Sequence, residues 1–145
     1  GAVMPTNPPP LTNGRWNHAA TLLPNGRVLV TGGFGTNPKS AVLYDAGTNV
    51  WTSAGNMSVA RAFHTSTLLR NGKVLVVGGY DGTNSLTSIE LYDPATGWST
   101  SEQKVLNIPR ARHTSVLLSN DNVLVLGTYV QTGGASSAIT EVWAP

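Results

Sequence analysis

The amino-acid sequence predicts an all-β fold that is built from repeated units. A segment that starts at Arg61 and ends in Gly78-Gly79 recurs in similar form from Arg15 and from Arg110. The repeats are 46 and 49 residues long, counted from one of these arginines to the next, and such periods indicate a repeat architecture. No stretch shows the 3.6-residue apolar period of a helix, whereas short β-branched runs alternate with glycine-containing turns throughout.

The middle repeat shows why each unit is predicted to contain four strands. Its β-branched and apolar runs lie at 64–69, 73–77, 88–92 and from 98 onward. Asn71-Gly72 supplies a pair that tolerates positive φ in a tight hairpin turn, and Asp93-Pro94 begins a second turn. Four antiparallel strands, repeated about every 50 residues, are the pattern of a β-propeller blade. We label the four strands of a repeat a, b, c and d in chain order.

Composition limits the classes to which the chain can belong. Of its 145 residues 40% are hydrophobic and 11% are charged, so we expect one ordered repeat domain over 1–145. The chain has no run of lysine or arginine, so nucleic acid is not an expected partner. The longest apolar runs are only as long as a strand, so a membrane is not expected either. The absence of cysteine excludes disulfides, thiolate metal sites and cysteine nucleophiles.

Three features of the repeat resemble the kelch family of β-propellers. They are the double glycine (Gly32-Gly33, Gly78-Gly79), the tyrosine that follows it (Tyr44, Tyr92) and the later tryptophan (Trp51, Trp98). The third repeat departs from this pattern, with Gly127-Thr128 in place of the double glycine and Trp143 in place of the tyrosine. The resemblance covers the whole chain as three kelch repeats, and it implies that these tyrosines and tryptophans pack in the core between blades.

The repeat register divides the chain into blades. We expect blade 1 at 11–53, blade 2 at 54–101, and blade 3 at 102–145 with strands a to c only. Shifting the N-terminus by the same 46 residues aligns Gly1 with Gly47 and Met4 with Val50. Residues 1–10 are therefore predicted to be a strand d that closes the ring and leads into blade 1.

Three blades are too few to close a ring, because propellers use 4–8 blades. An open arc would expose apolar sheet faces and a strand edge. We therefore expect a homodimer in which two chains around a two-fold axis form one six-bladed ring, and each N-terminal strand completes the other chain's last blade. The alternative is that the chain is a fragment of a longer propeller.

The histidines and arginines that recur in every repeat are weighed between structure and function. His18, His64 and His113 occupy equivalent positions; the favoured interpretation is a structural hydrogen bond to backbone in each blade, and a metal-binding ring is the weaker one. Arg15, Arg61 and Arg110 are predicted to pair with turn carbonyls or with Asp45 or Asp93. Alternatively they recognise a carboxylate or a phosphate. We include them among the candidate binding residues.

Residues that differ between repeats are the better functional candidates. Arg112 replaces Asn17 and Phe63 of the other repeats, and the loops between strands b and c (34–39, 80–85 and 128–137) differ in length and sequence. In kelch propellers the b–c and d–a loops share one face, which typically binds protein or peptide partners. The resemblance therefore implies a contact surface, which we expect to use aromatic side chains and arginine: Trp16, Phe34, Phe63, Tyr80, Tyr129 and Arg112.

Catalysis is not expected. The related copper radical oxidases need a crosslinked Tyr–Cys cofactor, which a chain without cysteine cannot form. The glycine pairs also lack the spacing of a phosphate loop. We predict no catalytic residue, no metal and no cofactor. The leading hypothesis is a non-catalytic module that assembles and binds a protein or peptide; the alternatives are a purely structural or engineered propeller fragment and a lectin-like carbohydrate-binding propeller.

Overall fold

The computed structural model describes residues 7–11, 13–99, 105–129 and 136–145. Within these residues all regular structure is β, in fourteen strands. The strands are β1 Arg15–Trp16, β2 Ala19–Leu22, β3 Val28–Thr31, β4 Phe34–Gly35, β5 Ser40–Asp45, β6 Val50–Asn56, β7 Thr65–Leu68, β8 Val74–Val77, β9 Leu86–Asp93, β10 Gly97–Ser99, β11 Val105–Arg110, β12 Thr114–Leu117, β13 Val123–Tyr129 and β14 Ser136–Trp143. The described part of the chain contains no helix of the length and apolarity that a membrane crossing requires. The all-β prediction is confirmed.

The strands form successive antiparallel sheets along the chain. Sheet 1 has the order β2-β3-β5-β6, sheet 2 has β7-β8-β9-β10, and sheet 3 has β12-β13-β14. Strand β11 pairs with the first half of β9, whereas β10 pairs with its second half, so the outer edge of sheet 2 is covered in two pieces. A separate two-stranded pairing joins β1 to β4.

Hairpin turns begin each sheet, as the asparagine–glycine pairs predict. Gly26 and Gly72 both have φ of +82°, which the tight turn needs and glycine adopts without a steric penalty. In the third repeat Asp121 takes the corresponding place with φ of +68°. The local sequence therefore sets the same connection three times, once with a residue other than glycine.

Two apolar cores lie between neighbouring sheets. The first joins sheets 1 and 2 and the second joins sheets 2 and 3, so sheet 2 is covered on both faces and all of β8 is buried. The first core contains Leu23, Leu29, Ala41, Met57, Val74, Val76 and Tyr92. The second contains Leu69, Leu75, Val77, Ile89, Leu106, Val123, Val125 and Trp143. The all-apolar sequence of β8 is explained by this position, because a strand with two covered faces has no solvent-facing side.

The aromatic residues predicted to be core divide according to which sheet carries them. Tyr92 and Trp143 are buried, and Trp98 packs against the first core. Tyr44 and Trp51, on sheet 1, are only half-buried, so for them the prediction is wrong within this chain. The reason is that no sheet of the described chain covers the outer face of sheet 1.

Two predicted segments, the closing strand and the third b–c loop, fall partly on residues that the structure does not describe. Of the closing strand expected at 1–10, residues 1–6 lie outside the described residues, and residues 7–10 have no regular secondary structure. Trp51 Nε1 donates to the Pro9 carbonyl over 2.9 Å, so this segment lies beside sheet 1. Residues 130–135 of the third b–c loop are likewise not described, whereas the backbone of Thr128 and Tyr129 continues β13.

Candidate functional site

The candidate site lies on the side of the sheets where the d–a segments meet the b–c loops. In the first repeat β1 and β4 pair there, with Trp16 opposite Phe34. In the second repeat Ala62 and Tyr80 form the corresponding bridge. Each pairing carries aromatic side chains to the same end of neighbouring sheets, so one surface collects residues from consecutive repeats.

These residues line a groove that encloses about 340 Å³. Residues from all three repeats contribute to it. They are Trp16, Asn17, Phe34, Phe63, Tyr80, Ser85, Ala111 and Arg112. The groove is therefore a product of the repeat arrangement, and none of the three repeats forms it alone.

Phe34 is the centre of the aromatic cluster. Its ring centroid lies 5.7 Å from that of Phe63 and 6.2 Å from that of Tyr80, both in edge-to-face geometry. The Trp16 ring lies 5.8 Å from Phe34 and is 60% exposed. Aromatic pairs at these separations hold one another in place, so the groove presents rigid apolar surface to the solvent.

Arg112 supplies the charge in this groove. Its guanidinium carbon lies 4.1 Å from the centre of the Phe63 ring, which is a cation–π arrangement. This contact holds the guanidinium beside the Phe63 ring, at the wall of the groove. Arginine in this setting is suited to bidentate recognition of a carboxylate.

The backbone beneath the groove is strained at three equivalent positions. Asn17, Phe63 and Arg112 have φ of +56°, +54° and +58°. The Phe63 amide donates to the Asn17 carbonyl over 3.0 Å, and the Arg112 amide donates to the Phe63 carbonyl over 2.9 Å. Asparagine tolerates this left-handed region, but phenylalanine and arginine do not do so readily. Such strain is concentrated at functional sites when the surrounding structure maintains it.

The recurring arginines do not reach this surface in the second and third repeats. Arg61 and Arg110 are 0% exposed, and Arg15 is half-buried. Arg61 Nη1 donates to the carbonyls of Gly78 and Ser88, at 2.6 and 3.2 Å. Arg15 and Arg110 make the corresponding pairs of carbonyl contacts in their own repeats. The structural role predicted for them, pairing with carbonyls, is confirmed.

The acidic partners of these arginines are glutamates and not the predicted Asp45 and Asp93. Arg61 Nη2 lies 2.6 Å from Glu90 Oε2, and Arg110 Nη2 lies 2.8 Å from Glu141 Oε1. Asp45 and Asp93 instead pair with Arg27 and Lys73. The two aspartates lie in turns at the opposite end of the strands, which is why they cannot reach the buried arginines.

Glu90 and Glu141 are the important residues that sequence reasoning missed. Glu90 also accepts hydrogen bonds from the amides of Ser58 and Val59, and Glu141 accepts them from Asn107 and Ile108. Each glutamate therefore fixes the d–a segment that precedes its own repeat. The sequence did offer a sign of their role, because both glutamates occupy the same position of their repeats, in Glu90-Leu-Tyr and Glu141-Val-Trp.

The electrostatics of Glu141 follow from these contacts. Burial raises the pKa of Glu141. Hydrogen bonds from the Asn107 amide, the Arg110 guanidinium and the Asn107 side chain lower it, and together they outweigh burial, so the pKa lies below its usual value. Glu141 is therefore ionised when it accepts these bonds. The position of this glutamate is taken by Val42 in the first repeat, where Arg15 bonds the Ser40 hydroxyl.

The two buried histidines bridge neighbouring sheets through hydroxyl groups. His64 Nε2 lies 2.8 Å from Thr31 Oγ1, and His113 Nε2 lies 3.0 Å from Thr65 Oγ1. Burial, followed by the charge of Arg61, lowers the pKa of His64 to about 3. Burial and then Arg110 lower the pKa of His113 to about 4. The predicted structural role agrees with these bonds. Backbone hydrogen bonds at Thr31 and Val77 also act on His64 and His113, where they raise the pKa against the larger effect of burial. His18 is exposed.

The side chains that can bind a metal lie apart from one another in the described structure. Across the described ranges, no three side chains of His, Asp or Glu come together in a way that could hold a metal ion. His64 and His113 instead bond to threonine hydroxyls of the preceding sheets. The donors of a metal ring are thus not assembled by this part of the chain.

The predicted contact residues fall into three groups. The structure brings Trp16, Phe34, Phe63, Tyr80 and Arg112 together around the groove. It buries Arg61 and Arg110 fully and Arg15 in part, and all three contact carbonyl oxygens. The side chain of Tyr129 lies outside the described part of the structure.

Comparison with known families identifies one repeat directly. A model of the Kelch motif matches residues 61–97, from the buried Arg61 to the turn before β10. This match supports the kelch resemblance and agrees with a β-propeller type of fold, for one repeat. No curated protein matches the chain.

Proposed function

We propose that this chain is a non-catalytic β-propeller module that binds a protein or peptide through the groove between Trp16 and Arg112. The observation that carries the proposal is the groove itself, a concave surface of about 340 Å³ in which aromatic rings and one arginine meet. A purely structural unit has no need of such a concavity. Binding pockets fall in the same range of volume and combine apolar walls with a few polar groups.

The groove suits a peptide segment that carries a carboxylate beside an apolar side chain. The Phe34 cluster offers apolar surface, and Arg112 offers a guanidinium positioned by its contact with Phe63. Aromatic residues and arginine dominate the binding energy of protein interfaces. A charge-assisted bond from arginine to a carboxylate is about twice as strong as a neutral one. An acidic residue, or the C-terminal carboxylate of a partner, is the expected anchor.

Selection from a phage-displayed library of random dodecapeptides on the immobilised chain tests the proposal. We expect enrichment of sequences with an acidic residue next to an aromatic or aliphatic one. Synthetic copies of these peptides should bind the Arg112→Asn and Phe34→Ala variants at least about 10-fold more weakly, since a lost hot-spot contact is worth about 2 kcal/mol.

Arg70→Asn is the matched control, because it removes an arginine from an exposed hairpin turn at the opposite end of the strands. This variant should bind the peptides as the parent chain does. Equal binding to all variants, or no enrichment at all, would contradict the proposal and favour a structural unit without a ligand.

Carbohydrate binding is a second candidate, and the exposure of Trp16 favours it. Its ring is tilted by 42° against Phe34 and leaves a broad apolar face toward the solvent. A glycan array read with the parent chain and with Trp16→Ala tests this candidate. Binding that depends on Trp16 would support it, and an array without signal would rule it out.

We also propose that the chain contains three kelch repeats, each forming one blade, and that two chains complete a six-bladed ring. The buried-arginine contacts support three repeats. Arg15, Arg61 and Arg110 each donate to two carbonyl oxygens in their own repeat, and one of the two belongs to the equivalent glycine in every case: Gly32, Gly78 and Gly127. The blade limits at 53 and 101 stay a prediction.

A further inference from the structure

Two sheet faces of the chain resemble the two halves of one junction between blades. Inside the chain, each junction joins the rear face of one sheet to the front face of the next. The front face of sheet 1 and the rear face of sheet 3 have no such neighbour among the described residues. The chain therefore displays one half-junction of each kind.

The front face of sheet 1 is exposed where the equivalent faces are covered. Leu22 is 64% exposed, whereas the equivalent Leu68 and Leu117 of the other sheets are only partly exposed. His18 is exposed, whereas His64 and His113 are buried. Within the described chain the imidazole of His18 makes no hydrogen bond. The front face of sheet 1 thus carries the same kinds of residue as the front faces of sheets 2 and 3, but no described sheet packs on it.

The rear face of sheet 3 shows the opposite half of the same pattern. Val116 is 45% exposed and Val142 is 57% exposed. Thr114 is also exposed, whereas the hydroxyl of the equivalent Thr65 is hydrogen-bonded to His113 across a junction. Leu118 is partly exposed, whereas the equivalent Leu23 and Leu69 are core residues.

The register of the first junction assigns a partner to each of two apolar side chains on these faces. At the first junction Thr21 Oγ1 lies 2.5 Å from Ser66 Oγ, so both members of that pair carry a hydroxyl. The equivalent pair between sheet 3 and sheet 1 is Val116 with Ala20, and both members are apolar. A hydroxyl opposite either of these would lose its partner on burial, at a cost in free energy. At the second junction Ser115 Oγ instead lies 2.5 Å from Thr65 Oγ1, whose counterpart in sheet 3 is Thr114. The pairing of Val116 with Ala20 therefore follows the register of the first junction.

Sheet 3 also carries a threonine hydroxyl that can hydrogen-bond a histidine of a neighbouring sheet. Sheet 1 offers it from Thr31 on β3, and sheet 2 offers it from Thr65 on β7. Sheet 3 carries Thr114 on β12 at the position of Thr65. Thr114 is therefore placed to bond the histidine of a following sheet, and His18 is the histidine that has no such bond among the described residues.

We infer that a second copy of this chain covers both faces, with His18 of one copy bonded to Thr114 of the other and Ala20 packed on Val116. The inference rests on the proposed ring of blades and not on any ligand of the groove. Six sheets from two copies lie within the usual range of 4–8 blades, and a two-fold axis makes both new junctions identical. The two faces belong to sheets 1 and 3, which pack on opposite sides of sheet 2, so they do not contact each other within the described chain.

Cysteine cross-linking tests this contact, since the chain contains no cysteine of its own. The Ala20→Cys, Val116→Cys double variant should form a disulfide-linked dimer under mild oxidation, because the equivalent Thr21 and Ser66 are in side-chain contact. Each single variant should stay unlinked, because the proposed axis places the two copies of one residue far apart. Linkage of single variants, or none in the double variant, would overturn the inference.

Sedimentation velocity on the same chain gives the second measurement. The parent chain should sediment as a dimer of twice 15.2 kDa. Val116→Glu should lower the association constant at least about 100-fold, since an unpaired charge would be buried in the junction. His18→Ala should lower it about 2- to 10-fold, as expected for one hydrogen bond.

Val50→Glu is the matched control, because Val50 is 47% exposed on the outer strand of sheet 1 and takes no part in the junction. This variant should remain a dimer, and circular dichroism should show all variants folded. A monomeric parent chain, or a dimeric Val116→Glu, contradicts the inference. Peptide binding to the groove by a monomer would leave the proposed binding function standing while this inference fails.

Discussion

His64 Nε2 lies 2.8 Å from Thr31 Oγ1, and this bond joins the second sheet to the first. The other ring nitrogen, Nδ1, is buried and has no hydrogen-bond partner among the described residues. A neutral imidazole tolerates this arrangement, because its second nitrogen is only an acceptor. Protonation would bury a charge and an unsatisfied donor, which explains why the pKa of His64 falls to about 3.

The first prediction is that acid destabilises the fold between pH 6.5 and 5. The unfolded chain binds protons at His64 and His113 near pH 6.5, whereas the folded chain does so only near pH 3 and pH 4. Stability is therefore complete above pH 6.5 and is lost as the pH falls. Each histidine contributes a slope that approaches about 1.4 kcal/mol per pH unit. Urea unfolding at a series of pH values measures this slope.

A variant of one buried histidine isolates its contribution to the pH dependence of the unfolding free energy. His113→Gln retains a hydrogen-bonding side chain and cannot titrate, so it should remove about one proton from the pH dependence in this range. A parent chain with pH-independent stability down to pH 5 would show that the buried imidazoles are not neutral as described.

The second prediction concerns the buried ion pair of Arg61 and Glu90. Removal of the carboxylate by Glu90→Ala leaves an uncompensated charge at Arg61, which is 0% exposed. The expected loss is about 3–5 kcal/mol of unfolding free energy. Arg27→Ala, which breaks an exposed pair with Asp45, is the control and should cost at most about 1 kcal/mol. Comparable losses in the two variants, measured by urea unfolding, would refute the prediction.

Local patterns in the sequence predicted the strands, but contacts between repeats escaped them. Asn71-Gly72 and the apolar run of β8 specify a hairpin without reference to the rest of the chain. Glu90 acts on Ser58, 32 residues earlier, and no local pattern encodes that distance. Comparison of the repeats could have revealed it, because Glu90 and Glu141 are equivalent.

The candidate site was predicted in part for the same reason. Residue type and deviation from the repeat selected Phe34, Phe63 and Arg112, which do line the groove. The same reasoning included Arg61, because a charged residue at every repeat resembles a recognition ring. Its burial depends on carbonyl oxygens of Gly78 and Ser88, whose direction the sequence does not show.

The third prediction concerns Gly78, where the backbone of the next repeat comes close. Its φ is +58°, and a Cβ atom would lie 2.6 Å from the Arg110 carbonyl oxygen. Gly26 also has positive φ, but a Cβ atom there would meet nothing within 4 Å. Gly26→Ala should therefore cost only the backbone strain, about 1–2 kcal/mol, and Gly78→Ala should cost about 1–3 kcal/mol more.

Thermal unfolding of the two glycine variants side by side makes this comparison. The larger decrease in midpoint should belong to Gly78→Ala, because the carbonyl it meets is part of the backbone and cannot rotate away as a side chain can. If both variants lose the same stability, the close approach of the two repeats contributes nothing beyond the strain.

The fourth prediction is that Arg112→Asn leaves the stability of the fold nearly unchanged while it removes the charge of the groove. Asparagine is the residue found at the equivalent Asn17, and it relieves a left-handed backbone that costs arginine about 1 kcal/mol. Loss of the cation–π contact with Phe63 costs about 0.5–1 kcal/mol in the opposite direction. These two effects oppose each other and Arg112 is exposed, so the urea midpoint should move little, as for most substitutions at exposed positions. A large loss of stability would mean that Arg112 holds the groove together and would weaken its assignment as the residue that contacts a ligand.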